Sequence, residues 1–449
     1  MNISANRAKD IVTVDTSEQF NPNTEDPEVA YPPRPNKSID ETWDFKGVDT
    51  KEFTHCFHAY PAMMIPQVAR RIISEFGSGV NEIFDPYCGT GTSLVEANLA
   101  GINAVGTDLN PLARLLASAK TTLIDIHLLQ EHIHQFRDLT FNLDFTLQIP
   151  EAPVPEIKNA EFWFSPLALR KLAFVRSFIL EISQPEIQNF FFVAFSETVR
   201  ESSYTKKREF KLVRNREIDP DFNPNVFGIM ESKLQRNLSG LARYQSAPGA
   251  KGSSRIFDFN TVDGIPSGIF RDGLVDMVVT SPPYGDSSTT VAYGQYSRLA
   301  NEWLGVTDAN QIDNRLMGGR KSKSPRHALS PLVEEVCNII TAEDPKRALD
   351  VIAFYQDYAA SIANVAATIR PGGYACYVVG NRTVKGLTIP TDEITARLFE
   401  ANGFRHLKTN VRNIPGKRMP LKNSPSNVPG QTGATMKNEY IVICQKTHK

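Results

Sequence analysis

Cysteine is scarce and unpaired in this chain: the five, Cys56, Cys88, Cys337, Cys376 and Cys444, fall at no repeated spacing. That argues against both a disulfide framework and a zinc cluster, so no metal is expected, and it fits a reduced, cytoplasmic setting. An excess of charge of either sign is missing too, since 49 Lys and Arg stand against 50 Asp and Glu, a formal net charge of -1. Wholesale binding of a polyanion is thereby excluded. Any nucleic-acid contact has to come from local basic patches. There is no long uncharged apolar run and no basic, apolar leader, so neither a membrane span nor a signal peptide is expected. The 449 residues do allow a large core, in one enlarged domain or two.

The stretch that organises the rest is Thr280-Ser281-Pro282-Pro283-Tyr284, at the end of the apolar run Leu274 to Val279. The run reads as a buried strand that stops where its backbone donors stop. Two prolines stiffen the turn and leave their carbonyls free of ladder partners. The hydroxyl of Ser281 and the carbonyl of Pro282 suit acceptance from an amino group, Pro283 rigidifies the turn, and Tyr284 offers a face for stacking. The turn reads as a holder for a planar group bearing NH2.

A second strand end lies upstream. Glu82 to Asp85 reads as a short buried strand running into Pro86-Tyr87-Cys88-Gly89-Thr90-Gly91-Thr92 and then a helix, Ser93 to Ala100. Glycines at 89 and 91 let the backbone approach a ligand, and the helix presents its free N–H groups there. The third glycine of the dinucleotide fingerprint is absent. Asp85 would repel a pyrophosphate but suits a cationic or amino-bearing ligand. The next strand, Asn103 to Thr107, ends in Asp108 and Leu109; an acid there is placed to hold the two hydroxyls of a ribose, or to cap the helix opened by Pro111.

The combination Asp-Pro-Tyr-Cys-Gly-Thr-Gly-Thr, then Gly-Thr-Asp-Leu-Asn-Pro, then Thr-Ser-Pro-Pro-Tyr resembles the S-adenosylmethionine-dependent amino-methyltransferases of DNA. Over about 57 to 120 and 254 to 445 this resemblance implies a class I methyltransferase, Rossmann-like α/β fold: a mixed seven-stranded sheet with helices on both faces, plus a largely helical insertion. It implies S-adenosyl-L-methionine as cofactor, with Phe57, His58, Tyr60, Pro61 and Ala62 as the methionine-side motif, Asp258 on the adenine amino group and Phe259 packing beside it. Ser before Pro-Pro-Tyr is the form more typical of enzymes acting on cytosine N4, whereas adenine-N6 enzymes usually carry Asp or Asn. The Gly-loop motif also looks like that of RNA guanine-N2 methyltransferases. An inactive DNA-binding relative is the alternative outside enzymes, and a separately encoded restriction endonuclease is the partner the resemblance implies.

Four regions follow. Residues 1–50 read as a loosely ordered arm, 51–120 as the cofactor half, 121–250 as a helical insertion, and 251–449 as the catalytic half with a flexible basic loop at 286–345. His127, His132 and His134 lack companion ligands and read as surface residues. Lys206, Lys207, Arg208 and Lys211, interleaved with Tyr204 and Phe210, form a dense basic stretch suited to phosphate contact with double-stranded DNA. Arg320, Lys321, Lys323 and Arg326 in the later loop, and Lys417 and Arg418 nearer the end, are further candidates. Strands alternating with helices imply a parallel sheet, and two final strands an antiparallel edge.

An aromatic amine is a weak nucleophile because its lone pair is delocalised into the ring; hydrogen bonds to Ser281 and Pro282 return density to nitrogen. Attack through cytosine carbon 5 needs a cysteine nucleophile, usually after a proline, and none of the five follows one.

Overall fold

A computed structural model describes residues 34–448, apart from 147, 208, 219–221, 287–289, 321–330, 415–421, 424–432 and 435. Its strands are β1 (Lys37–Ile39), β2 (Glu82–Asp85), β3 (Asn103–Thr107), β4 (Ser254–Phe257), β5 (Val275–Thr280), β6 (Ile369–Val379), β7 (Arg382–Val384), β8 (Leu387–Ile389), β9 (Phe404–Asn413), β10 (Lys422–Asn423), β11 (Gly433–Ala434) and β12 (Asn438–Lys446). The first helices are α1 (Pro66–Phe76), α2 (Thr92–Leu99) and α3 (Pro111–Thr121). Then come α4 (Ile126–Thr146), α5 (Ala160–Trp163), α6 (Pro166–Leu180), α7 (Pro185–Glu201) and α8 (Val226–Ser246). Residues 251–449 add α9 (Tyr293–Trp303), α10 (Ile312–Arg315), α11 (Pro331–Glu343), α12 (Pro345–Thr368) and α13 (Thr391–Ala401).

The main sheet runs β1-β9-β12-β6-β5-β2-β3-β4. Only β12 is antiparallel to its neighbours, β6 and β9. The sheet therefore has eight strands where seven are expected, because Lys37–Ile39 adds itself parallel to β9. This also corrects the reading of 1–50 as a loose arm, although 1–33 lie outside the described residues. Trp43 is fully buried, Arg34 reaches Glu393 at 2.6 Å, and Asp44 accepts the Asn413 N–H at 2.7 Å. A three-residue polar edge strand carries no alternation of its own; its partner decides its state.

Both faces of the central strands are buried, which is why Val275 to Val279 reads as an apolar run broken only by Asp276. Met277 and Val279 face α1 and α2 in one cluster, while Val275 and Val278 face α11, α12 and α13 in another. Asp276, within that run, is buried and accepts the backbone N–H groups of Asn81 and Glu82 at 2.8 and 2.9 Å, with Arg370 at 2.7 Å as counter-ion. These bonds fix the start of β5 against the start of β2.

The segment 121–250 is a helical layer whose apolar stripes pack with α3 and α9 in one cluster. The reading of 286–345 as a flexible basic loop is corrected in its described parts. It contains α9, α10 and α11, with Trp303 fully buried and Leu332, Val336 and Ile340 in the core. Its Gly, Ser and Arg content hid short amphipathic helices. No helix among the described residues is long and apolar enough to cross a membrane.

Candidate active site

Strands β2, β3 and β5 end on the same edge of the sheet, and their exits line one cleft. Asp85, Gly89, Thr90, Asp108, Ser281 and Pro283 all face it. The space between these exits is a cleft partly open to solvent. Pro86, Tyr87, Thr92 and Leu109 complete this part of the wall.

Asp85 closes β2 and is 3% exposed. Its Oδ1 accepts the Thr280 hydroxyl at 2.5 Å and the Tyr87 N–H at 3.1 Å. Burial pushes its carboxyl up to about 6 against the pull of the Thr280 hydrogen bond. Asp108 closes β3; its carboxylate accepts Gly89 N–H at 3.0 Å and Asn110 N–H at 2.8 Å, and burial raises its pKa. The cap of α3 is Asn110, which accepts the Leu112 N–H, so Asp108 is not spent on the helix. Burial raises the Cys88 thiol well above its usual range, which suits a packing residue.

Gly89 and Gly91 have different jobs. Gly89 has φ +48° and no heavy atom closer than 4.0 Å to the position of a Cβ, so its backbone is bare toward the cleft. Gly91 does not line the cleft. At φ +80° a Cβ there would stand 3.0 Å from Ala117 Cα, so the close approach it permits is to α3.

Of the Phe57 to Ala62 motif, Tyr60, Pro61 and Ala62 face the cleft, with Met63 and Met64 beyond them. Phe57 is instead buried against Phe190 of α7, ring centroids 5.5 Å apart, and buried His58 also lies off the cleft wall. Asp258 is likewise off the wall: its side chain is 77% exposed and its carboxylate is 3.9 Å from Arg114. Phe259 does face the cleft, with Asn260 and Thr261, because Thr107 donates its hydroxyl to the Phe259 carbonyl at 2.7 Å and turns the chain inward.

At the end of β5, Pro282 is buried and Tyr284 is half-buried. Tyr284 Oη lies 3.2 Å from Ser281 Oγ and donates to Glu439 Oε1 at 3.2 Å. Glu439 in turn accepts from Arg412 at 2.8 Å. Tyr284 thus stands behind Ser281 with its hydroxyl held by β12.

Sequence reasoning did not single out Thr280, Glu439, Asn110 or the helix α9. Asn110 donates to Tyr60 Oη and Ser297 Oγ, each at 2.9 Å, and accepts from Asn301 at 3.0 Å, a buried network joining α3 to α9. Tyr293, on α9, stacks on Tyr60 with centroids 6.1 Å apart and lines the cleft. The signal was the pair Tyr293 and Tyr296 shortly after the Pro-Pro-Tyr turn.

Among the basic candidates, Lys206, Lys207, Lys211 and Arg320 are exposed, whereas Arg208, Lys321, Lys323, Arg326, Lys417 and Arg418 lie outside the described residues. Lys206 and Lys211 sit on a hairpin closed by Lys206 N–H to Val213 O at 2.8 Å and Asn215 N–H to Tyr204 O at 2.8 Å. At its base Arg214 lies over Phe162 and Tyr204, 4.6 and 5.0 Å from their ring centres. Arg200 anchors the hairpin to α9 through the Glu209 and Tyr296 carbonyls.

The strand order, with strand-end carboxylates beside a glycine loop, defines a class I methyltransferase. No protein-family model matches the chain. It is 38% identical over 426 residues to the type II methyltransferase M.MvaI of Kocuria varians, covering 89% of this chain and 92% of that protein. The type II methyltransferase M.BsoBI of Geobacillus stearothermophilus is 21% identical over 409 residues, 79% of each chain. Among solved structures, the rRNA methyltransferase aviRa from Streptomyces viridochromogenes matches with a TM-score of 0.30 at 11% identity, covering 87% of this chain and 88% of that one. By its relation to M.MvaI, the chain belongs to the type II methyltransferases.

Proposed function

We propose that this enzyme transfers a methyl group from S-adenosylmethionine to the exocyclic N4 amino group of cytosine in duplex DNA. Membership of the type II methyltransferases supports DNA as the substrate class. The observation that carries the amino group as acceptor is the hydrogen-bond order Ser281–Tyr284–Glu439. A carboxylate can only accept, so the Tyr284 hydroxyl donates to Glu439 and its oxygen is left to accept from Ser281. The Ser281 proton is then committed to Tyr284. Its lone pairs remain for a donor, which an NH2 is and a carbonyl is not.

The cleft suits the cofactor. Two carboxylates match a cationic sulfonium ligand, the bare backbone at Gly89 admits close approach, and Tyr87 and Phe259 give flat walls. Asp108 would hold the ribose, Tyr60 to Ala62 with Thr90 the methionine side, and Phe259 with Asn260 the adenine side. Bound there, S-adenosylmethionine supplies a methyl group activated by positive charge on sulfur.

The chain's own residues do the rest by positioning. Ser281 Oγ and the Pro282 carbonyl accept from the amine and draw its lone pair out of the ring, and Pro283 keeps their spacing rigid. Because the target sits inside the stack, the base is swung out at a cost of about a few kcal/mol; Tyr284, behind the turn and off the cleft wall, is left the role of holding the Ser281 hydroxyl. Lys206, Lys207 and Lys211 contact phosphate, which makes the helical segment 121–250 a DNA-facing layer; the exposed Arg320 is a further contact.

Adenine N6 is the second reading, since adenine presents the same amino donor. Nucleoside mass spectrometry after incubation with cofactor and, in separate reactions, duplex DNA or structured RNA decides. N4-methylcytosine is the expected product; N6-methyladenine would replace the base assignment, N2-methylguanosine from RNA would replace the substrate, and no methylated nucleoside would leave an inactive DNA-binding relative.

A further inference from the structure

Helix α3 carries a lysine that the account above does not use. Lys120 is completely buried, and its Nζ donates to Thr90 Oγ1 at 3.0 Å. Among the described residues no carboxylate lies within 4.0 Å of that nitrogen. The nearby acids are engaged elsewhere: Glu96 with His55 at 2.9 Å and Arg70 at 2.8 Å, and Glu197 with Arg236 at 2.7 Å. Cys56 and the buried His58 complete the titratable surroundings, and neither supplies negative charge at neutral pH, since burial lifts the thiol and holds the imidazole down at about 4. Burial without a counter-ion lowers the Lys120 ammonium itself to about 7.

Thr90 connects this buried cation to the cleft. It faces the cleft immediately after Gly89, and its hydroxyl points at Met63 Sδ, 3.2 Å away and also on the wall. A sulfur is a weak acceptor, so the Thr90 proton is available to a better one. None of the described residues lining the cleft is Lys, Arg or His, while Asp85 and Asp108 are both there. Arg114, near the rim, is held by the Asp108 carbonyl at 2.7 Å. A ligand bearing a sulfonium, an ammonium and one carboxylate therefore meets acids for its cations and no cation on the wall for its anion.

We propose that Lys120, acting through the Thr90 hydroxyl, is the anion subsite of the cleft and recognises the α-carboxylate of the methionine part of S-adenosylmethionine. This rests on the reading of the cleft as the cofactor site. Lys120 donates to Thr90 Oγ1 and polarises it, and the Thr90 O–H donates to the carboxylate, a charge-assisted bond at the far end of a two-bond relay. Lys120 is a positioning residue in this arrangement. It touches no reacting atom.

Calorimetric titration with S-adenosylmethionine and with its decarboxylated analogue tests this without turnover. The native enzyme is expected to prefer the carboxylate-bearing ligand by about 10- to 100-fold. Lys120→Met and Thr90→Val should bring that ratio close to one, chiefly by weakening the carboxylate-bearing ligand. Carboxylate binding favours the charged lysine, so the preference is full below pH 7 and fades as pH rises through the higher pKa of the bound state. Binding above pH 7 should therefore take up a proton, seen as a buffer-dependent heat, and Lys120→Met should abolish it. Lys120→Met removes an unpaired buried charge, so its melting temperature should not fall; if it fails to fold, Thr90→Val carries the test. Equal weakening of both ligands, or unchanged proton uptake in Lys120→Met, overturns the proposal. Failure of the native enzyme to bind either ligand overturns the reading of the cleft itself, and this subsite with it.

Discussion

Thr280 donates its hydroxyl to Asp85 across 2.5 Å, and so the last residue of β5 is tied to the last residue of β2. The loop proposed to hold the methyl donor and the turn proposed to hold its acceptor thus spring from two strand ends joined by one buried bond. Asp85 bears a cost for this position. Its carboxyl is raised from 3.8 to about 6 by burial, so the unfolded chain ionises there before the folded one does. Stability is lost as pH rises from about 4 through 6, and the full loss of roughly 3 kcal/mol persists above that window. Asp85→Asn should remove the loss. Urea unfolding should find the variant more stable than the native enzyme at pH 7.5 and the two nearly equal at pH 4, while titration shows weaker cofactor binding. A variant no more stable at pH 7.5 would mean that Asp85 is not a strained carboxylate.

The proposed order Ser281–Tyr284–Glu439 would separate binding from transfer. Ser281→Ala should lower kcat by about 100-fold or more while the Kd for cofactor stays within about twofold. Glu439→Gln gives Tyr284 a partner that also donates, which lets the Ser281 proton turn toward the base. A loss of about 10- to 100-fold in transfer is expected, again with cofactor binding kept. Single-turnover kinetics beside calorimetry would check both; a Glu439→Gln enzyme with native turnover would break the proposed hydrogen-bond order.

Gly91 and Gly89 make a matched pair. Gly91→Ala places a methyl 3.0 Å from Ala117 at φ +80°, and should cost about 1–3 kcal/mol of stability by thermal unfolding. Gly89→Ala meets no protein atom closer than 4.0 Å but keeps the strain of φ +48°, so a smaller stability loss is expected there and its larger effect should fall on cofactor Kd. Reversal of the two phenotypes would mean that the ligand approaches Gly91.

The strands were legible where burial on both faces makes a largely apolar run, as in Val275 to Val279 with Asp276 its one polar residue, and where glycine or proline punctuates an end, as at Gly89 and Pro282. Side-chain direction was less so. Phe57 and His58 sit in the same short motif as Tyr60, yet a one-turn 3-10 helix over Phe53–Cys56 sends Phe57 into the helical layer. Asp258 and Phe259 are adjacent, and a strand end sends neighbours to opposite sides, so only Phe259 reaches the cleft. Asn110 lies 187 and 191 positions from its partners Ser297 and Asn301, a pairing that no local pattern encodes.

Lys206, Lys207 and Lys211 are exposed in or beside a hairpin whose base is stiffened by Arg214 between two aromatic rings. Among the described residues this loop carries a single bridge, Thr205 to Arg214, and we expect its exposed lysines to meet backbone phosphates. Each phosphate contact releases counterions, contributing about 0.9 to the slope of log K against log salt. Replacing all three lysines by alanine should therefore flatten the slope by about 2 to 3 and weaken binding similarly for every duplex sequence. Fluorescence anisotropy on a labelled duplex from 50 to 200 mM salt, values at which such contacts matter by roughly orders of magnitude, would measure it. An unchanged slope would move the DNA contact off this hairpin and onto other parts of the chain, leaving the cleft chemistry untouched.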